Sequence, residues 1–296
     1  MPNFDLIAFD LDGTVFPSPT KPETTPRVEQ ALRRAHDLGA LVVVASGRPS
    51  WFLGDQLLQA SWLDWRILTN GARVSPSDGS EPDHVTPIPH DVALDLLARL
   101  SELGGTFGIH TDRTSYMERR KAELLARESQ RLESEDTEDE DRGDAIDPRR
   151  INPIDAMAKI GKMDIVESAH DLLATMPDCD LDKFDCSLPD EETTERVSGE
   201  LGPEGYEVAR LGPTEIEVSL AGVTKGAALG WLCAHLGIDE RRAVAFGDSG
   251  NDLSMTGRDL TFVAMGNASD EIKAAADDEC DSVFRDGVAN WLEEHL

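Results

Sequence analysis

Phe4-Asp5-Leu6-Ile7-Ala8-Phe9-Asp10-Leu11-Asp12-Gly13-Thr14 is the stretch on which the fold turns. A short apolar run, Leu6 to Phe9, stops at two aspartates and a glycine, which predicts a buried strand feeding a loop. Thr25 then reads as an N-cap and Pro26 as the first helical residue. Val28, Ala31, Leu32, Ala35 and Leu38 repeat at helical spacing before Gly39. Leu41–Ala45 predicts a second buried strand, ending at Ser46-Gly47-Arg48-Pro49. Ile67-Leu68 predicts a third, ending at Thr69-Asn70-Gly71.

The alternation resumes near the C-terminus. Thr224 is placed to cap a helix from Lys225 to about Leu236, with Gly237 after it. Residues 243–246 predict a strand ending at Gly247-Asp248, and Thr261–Ala264 another; Ser269 opens a short helix with Ile272, Ala275 and Ala276. Strand–helix alternation of this kind argues for an α/β fold, a Rossmann-like parallel sheet with helices on both faces. Polar residues collect just past the carboxyl ends of the strands, where ligands sit in open α/β sheets.

The middle differs. Residues 85–219 mix helical segments (91–103, 119–132, 168–176) with strands over Thr106–Thr111, 157–166 and 207–218. The simplest reading is a second α/β domain inserted into the first, so that 1–84 and 220–296 make one domain and 85–219 the other. The 296 residues suit two domains, since one typically holds about 100–200. The acidic run 133–141 reads as a solvated loop or helix end rather than a metal site, because contiguous carboxylates rarely converge on one ion.

Composition narrows the function. With 40% hydrophobic and 29% charged residues the chain reads as soluble and globular. A formal net charge of -30 opposes binding to nucleic acid or to anionic membranes. Only seven of the 28 basic residues are lysines, which fits either an arginine-favouring codon bias or a salt-rich cytoplasm. An anionic substrate must therefore find a locally positive pocket. Cys179, Cys186, Cys233 and Cys280 include no C-x-x-C pair, so neither a zinc site nor a redox motif is expected. So few cysteines suit a reducing cytosol. No basic n-region marks a signal peptide and no apolar run has membrane-span length, so the expected location is cytoplasmic.

Asp10 and Asp12 flank one residue just past a strand, and the turn at Gly13 can splay them into separate tasks. Paired carboxylates suit one nucleophile or metal ligand and one proton carrier; the alternative is a loop with turn-forming aspartates. Gly247-Asp248-Ser249-Gly250-Asn251-Asp252 brings one or two more carboxylates to the same sheet edge, or is simply a turn with a helix cap. Carboxylates so crowded repel unless a cation joins them, and oxygen ligands beside a phosphate favour magnesium. Lys225 opens a helix, where the dipole gives a cation nothing. Alone it reads as a surface residue; opposite carboxylates it has a reason to be there. Ser46 and the N–H groups of Gly47 and Arg48 form either a phosphate cradle or a plain cap.

In this order the motifs resemble the haloacid dehalogenase superfamily, specifically its Cof-type hydrolases with the larger α/β cap. The resemblance extends to Thr69-Asn70-Gly71-Ala72, Glu215-Ile216-Glu217-Val218 and Val263-Ala264-Met265-Gly266-Asn267-Ala268. It implies that Asp10 attacks phosphorus and that Asp12 serves as acid and then base. It implies magnesium on the Asp10 carboxylate, the Asp12 carbonyl and Asp248, with Asp252 positioning Lys225 or metal-bound water. Ser46 and Lys225 would hold phosphoryl oxygens, Asn251 would support the phosphate, and Gly47 and Arg48 would complete the substrate contacts. The expected activity is magnesium-dependent hydrolysis of small phosphomonoesters, such as sugar phosphates, by way of an aspartyl-phosphate. A phosphomutase and a non-catalytic binding protein are the alternatives. In such folds the cap selects the leaving group and moves to gate the site. His110, Asp112, Arg113 and Lys159 are its candidate residues, though each also reads as surface or structural.

Overall fold

The computed structural model describes residues 3–17, 22–134 and 163–296. The chain forms two compact units: Met1–Val85 with Thr224–Leu296, and Thr86–Val223. The second boundary lies a few residues beyond 219 because the strand begun at Glu215 runs on to Leu220 and pairs along its length.

The discontinuous unit is built on an eight-stranded sheet. Its strands are β1 (Leu6–Phe9), β2 (Leu41–Ala45), β3 (Trp65–Leu68), β4 (Arg73–Pro76), β5 (His84–Val85), β12 (Ala243–Gly247), β13 (Thr261–Ala264) and β14 (Asp278–Glu279). Their order is β14-β13-β12-β1-β2-β3-β4-β5. From β14 to β3 every pairing is parallel. β4 and β5 then return antiparallel, an edge that the strand signals of the sequence did not include. Their residues alternate polar with apolar, and His84 is held to the neighbouring helix by stacking on Trp231, ring centroids 4.6 Å apart.

Both faces of the sheet are covered, which is why its central strands are apolar without alternation. Ile7, Phe9, Val42, Val44, Val244 and Phe246 pack on one side with Val28, Leu32 and Ala35 of the Pro26–Asp37 helix and Trp291 and Leu292 of the Gly287–His295 helix. Leu6, Ala8, Val43, Ala45, Ala245 and Phe262 pack on the other with Leu229 and Leu232 of the Lys225–Leu236 helix. Full burial of each large side chain contributes about 1.5–3 kcal/mol. The caps follow the sequence: Thr25 accepts from Val28 N at 3.3 Å, Thr224 accepts from Ala227 N at 3.1 Å, and Gly237 closes its helix in the left-handed region at φ 69°.

The second unit has a six-stranded sheet ordered β10-β11-β9-β6-β7-β8. These strands are β6 (Thr106–Thr111), β7 (Ser115–Glu118), β8 (Met163–Val166), β9 (Leu181–Ser187), β10 (Tyr206–Arg210) and β11 (Glu215–Leu220). One face is apolar: Phe107, Ile109, Phe184, Cys186, Ile216 and Val218 meet the helices His90–Glu102, Ala169–Ala174 and Glu191–Leu201. The opposite face of the same strands carries charged side chains that are buried or half-buried. Lys121, from the Arg119–Ser134 helix, has no exposed surface and lies 3.0 Å from Asp185 and 2.5 Å from Glu215. Burial pulls the Lys121 ammonium down, but the two carboxylates outweigh it and hold the pKa above its ordinary value.

The single strand over 207–218 is two strands, β10 and β11, turned at Gly212-Pro213 and paired antiparallel. β9 went unrecognised because Asp182, Lys183 and Asp185 disguise a buried strand as a polar one. Of the strand over 157–166, Met163–Val166 is present, and residues 157–162 lie outside the described residues. Residues 135–141 of the acidic run, and Lys159, lie outside the described residues. All four cysteines are free thiols, three of them buried.

The start of the Lys225–Leu236 helix is packed tightly: a Cβ built on Gly226 would lie 1.8 Å from the Ser254 carbonyl oxygen. Gly226→Ala is therefore expected to destabilise the protein by about 2–3 kcal/mol through overpacking. Urea denaturation measures this; a change below about 0.5 kcal/mol, the level of an ordinary surface substitution, would contradict the close approach.

Candidate active site

The loops after β1, β2, β3, β12 and β13 meet at the carboxyl edge of the parallel sheet, and each brings polar side chains. Asp10 directly follows β1, with its backbone N–H donating to the Phe246 carbonyl at 3.0 Å. Lys225, fully buried, donates to Asp10 Oδ1 at 2.7 Å and to Asp252 Oδ1 at 2.8 Å. These two carboxylates explain how an ammonium sits at the positive end of a helix: ion pairing outweighs the dipole.

Asp252 is held in turn. Its Oδ2 accepts from Asp248 N and Ser249 N, each at 3.0 Å, so the turn after β12 wraps round its carboxylate. Gly247 permits this, since a Cβ there would lie 2.4 Å from the Asp252 carboxyl carbon. Asp248 stands on the far side, where its Oδ1 accepts from the Thr14 hydroxyl at 3.2 Å. Gly13, at φ 81°, brings the first loop so near that a Cβ would meet Asp248 Oδ2 at 2.2 Å. Any side chain there would displace the Asp248 carboxylate and take up a backbone conformation that favours glycine.

Carboxylate oxygens of Asp10, Asp248 and Asp252 lie within 4.8 Å of one another. Three carboxylates stand near one ammonium, and burial together with the neighbouring negative charge raises the pKa of two of them. Burial pushes Asp10 up to about 7, opposed by Lys225 and reinforced by Asp252 and Asp12. Burial, then the charges of Asp10 and Asp252, push Asp248 up to about 8. Lys225 is pulled down by burial, but Asp10 and Asp252 more than offset that and keep it charged. A set of hard oxygen donors with excess negative charge is what a divalent cation fits.

Asp12 points elsewhere. Its half-exposed carboxylate takes a bidentate pair of hydrogen bonds from Arg48, at 2.7 Å from Nε and 2.5 Å from Nη2. Arg48 Nη1 donates to the Phe52 carbonyl at 2.6 Å, and the guanidinium lies 5.3 Å from the centre of the Phe16 ring. Thus Arg48, expected among the substrate contacts, is paired with Asp12. Ser46 is buried beside them, its hydroxyl oxygen accepting from Arg48 N at 3.2 Å across Gly47. Asn251 donates to the side-chain oxygen of Asn70 at 3.1 Å.

Three residues of this edge were not singled out from the sequence. Thr14 binds Asp248, Asn70 binds Asn251, and Asn267 donates to the Gly13 carbonyl at 2.8 Å. Their signal was position, because each lies within a few residues of the carboxyl end of a strand of the parallel sheet. Of the insertion candidates, His110 is buried and satisfied by Ser115 Oγ at 2.7 Å and Asp185 Oδ1 at 3.1 Å. Asp112 and Arg113 face each other at 3.6 Å on the surface.

A parallel sheet with this carboxylate and lysine cluster on its edge defines a hydrolase class, and residues 7–292 match the family of haloacid dehalogenase-like hydrolases. The chain belongs to that family. It is 29% identical over 301 residues to phosphatase YwpJ of Bacillus subtilis (strain 168), covering 98% of this chain and 99% of that one. A shorter match, 37% identical over 111 residues, is to the 5-amino-6-(5-phospho-D-ribitylamino)uracil phosphatase YcsE of the same organism; it spans 37% of this chain and 45% of that protein. Among solved structures, a haloacid dehalogenase-like hydrolase from B. subtilis superposes with a TM-score of 0.81 at 27% identity, over 99% of this chain and 100% of that one. Among the described residues no helix is long and apolar enough to cross a membrane.

The raised Asp248 pKa has a stability consequence. In metal-free protein the folded state holds this proton from the ordinary carboxylate value, 3.8, up to about 8. Stability is therefore lost as pH rises through that window. Asp248→Asn, neutral at every pH, is expected to melt close to metal-free wild type at pH near 4 and increasingly above it as pH rises to about 8. Melting curves in chelator across this range measure the difference; a gap that does not widen with pH would contradict the surplus charge at the site.

Proposed function

We propose that the protein hydrolyses phosphomonoesters of small metabolites, with Asp10 as the nucleophile and magnesium as the cofactor. The observation that carries this reading is the buried Lys225 shared between Asp10 and Asp252, with Asp248 completing the carboxylate cluster. Lys225 places Asp10 and favours its charged form, and a cation there answers the crowding of its neighbours. It also supplies what a protein of net charge -30 otherwise lacks, a local positive spot for an anionic ester.

The Asp10 carboxylate attacks phosphorus; an Asp10–phosphorus bond forms as the bond to the ester oxygen breaks. Asp12 gives a proton to the departing alkoxide. It then takes a proton from the water that attacks the aspartyl-phosphate, releasing orthophosphate and restoring Asp10. The bidentate pair from Arg48 holds Asp12 as an acceptor, so one Asp12 oxygen must leave Arg48 before it carries the proton given to the alkoxide. Ser46, Gly47, Asn251 and Lys225 are the assigned phosphoryl contacts. Asp252, both of whose oxygens are engaged by Lys225 and backbone N–H groups, is assigned the positioning of Lys225. Magnesium held by Asp10, Asp248 and the Asp12 carbonyl would neutralise charge on the phosphoryl oxygens. Segment 85–219 is assigned the choice of ester. The names of YwpJ and YcsE support a phosphatase, and that of YcsE a phosphorylated small molecule.

Asp10→Asn is expected to lower turnover to under about one hundredth of wild type, since an amide cannot form the acyl-phosphate. Retention of several per cent by a pure, folded sample would rule out Asp10 as nucleophile. Release of free orthophosphate from a panel of small esters separates this reading from a phosphomutase.

Exhaustive chelation is expected to abolish turnover, and magnesium to restore it. Calcium is expected to inhibit, because its larger and looser shell spoils in-line geometry. Full activity in chelator would remove the metal from the reading.

A further inference from the structure

Thr69, Asn70 and Gly71, directly after β3, have successive φ angles of 49°, 58° and 107°. Only glycine enters that region freely, and a β-branched residue is the least suited to it. The Thr69 hydroxyl is also buried without a hydrogen-bond partner among the described residues. Both features cost free energy, so the surroundings must hold the turn in place.

Those surroundings are the site itself. Thr69 N donates to the Arg48 carbonyl at 3.2 Å, and Asn70 N donates to the Ser46 carbonyl at 3.1 Å. A Cβ on Gly71 would lie 2.6 Å from the carbonyl oxygen of Thr224, the residue that caps the Lys225 helix. The Asn70 side-chain oxygen accepts from Asn251 Nδ2 at 3.1 Å, while Asn251 Oδ1 accepts from the Ser249 hydroxyl at 2.8 Å. One strained turn therefore touches the loop of Ser46 and Arg48, the start of the Lys225 helix and the amide of Asn251. Asparagine tolerates the left-handed backbone, and that backbone is what delivers its side chain to Asn251.

We propose that Asn70 is a positioning residue of the phosphoryl site, fixing the amide of Asn251 and tying the β2 and β12 loops together. The proposal rests on the phosphatase reading. Its test uses full-length wild type, Asn70→Gly, Asn251→Ala and the double variant. Each is assayed for melting temperature, for p-nitrophenyl phosphate hydrolysis with magnesium, and for affinity for inorganic phosphate by thermal shift. Glycine relaxes the backbone at position 70, so Asn70→Gly is expected to melt within about 3 °C of wild type. Its kcat/KM is expected to fall about tenfold, with weaker phosphate binding. Asn251→Ala should show a similar loss and the double variant no greater one, because the two side chains act as one unit.

Unchanged turnover and phosphate affinity in Asn70→Gly would overturn the proposal. So would a melting temperature that falls in step with activity, or losses in the double variant that multiply. A wild type that releases no phosphate from any ester would sink the phosphatase reading alone, and the phosphate-affinity arm would still decide the role of Asn70.

Discussion

One ammonium group holds the site together. Lys225 reaches Asp10 across 215 positions of sequence and Asp252 across 27, with no surface left to water. A buried charge survives only where partners stand at hydrogen-bond distance, and removing one partner of such a pair typically costs about 3–5 kcal/mol. Much of the surrounding geometry serves that condition. Gly226 lets the lysine-bearing helix approach the Ser254 backbone, Gly247 lets the loop close on Asp252, and Thr224 starts the helix at the right residue. In the proposed function the same ammonium is the positive element an anionic ester meets.

The inserted unit solves a similar problem with different aims. Lys121 is as buried as Lys225 and is also shared between two carboxylates, Asp185 and Glu215. Burial would push Asp185 up, but Lys121 and His110 outweigh it and hold the carboxyl well below its usual range. At the sheet edge of the other unit the balance runs the opposite way, with Asp10 and Asp248 raised. The difference is stoichiometry. Asp185 has cationic and hydrogen-bonding partners enough, whereas the three aspartates around Lys225 carry more negative charge than one ammonium can neutralise. A satisfied network holds a fold in place; one with surplus charge is ready to bind a cation.

The parallel sheet was legible because its strands are buried on both sides. Leu41–Ala45 and Thr261–Ala264 are apolar runs bounded by polar turns, and the structure gives them those limits. The helix at Lys225 was legible from its threonine cap and its closing glycine. β9 was not, because Lys183 and Asp185 are buried by pairing with residues distant in sequence, and no local pattern reports such a partner. The edge pair β4 and β5 was missed for a related reason, as its polar alternation reads like a loop. Within the site, the carboxylates and the lysine stood out by type and place. The pairing of Arg48 with Asp12, and of Asn70 with Asn251, depended on where loops cross in space.

The strand order carries a consequence for how the chain is made. β1 lies between β2 and β12, so it lacks one neighbour until the strand that begins at Ala243 has been made. Asp5 and Arg242, joined by a salt bridge beside that pairing, are 237 positions apart. Thr86–Val223, by contrast, is continuous and draws its core from its own residues. It can therefore finish folding while the apolar Leu6–Phe9 strand still waits, a long-range closure of the kind that slows folding and leaves apolar surface uncovered. The connectivity that brings Asp10 beside Asp248 thus makes the parallel sheet the late product of synthesis. A nascent chain arrested before residue 243 lacks the strand that β1 needs on that side.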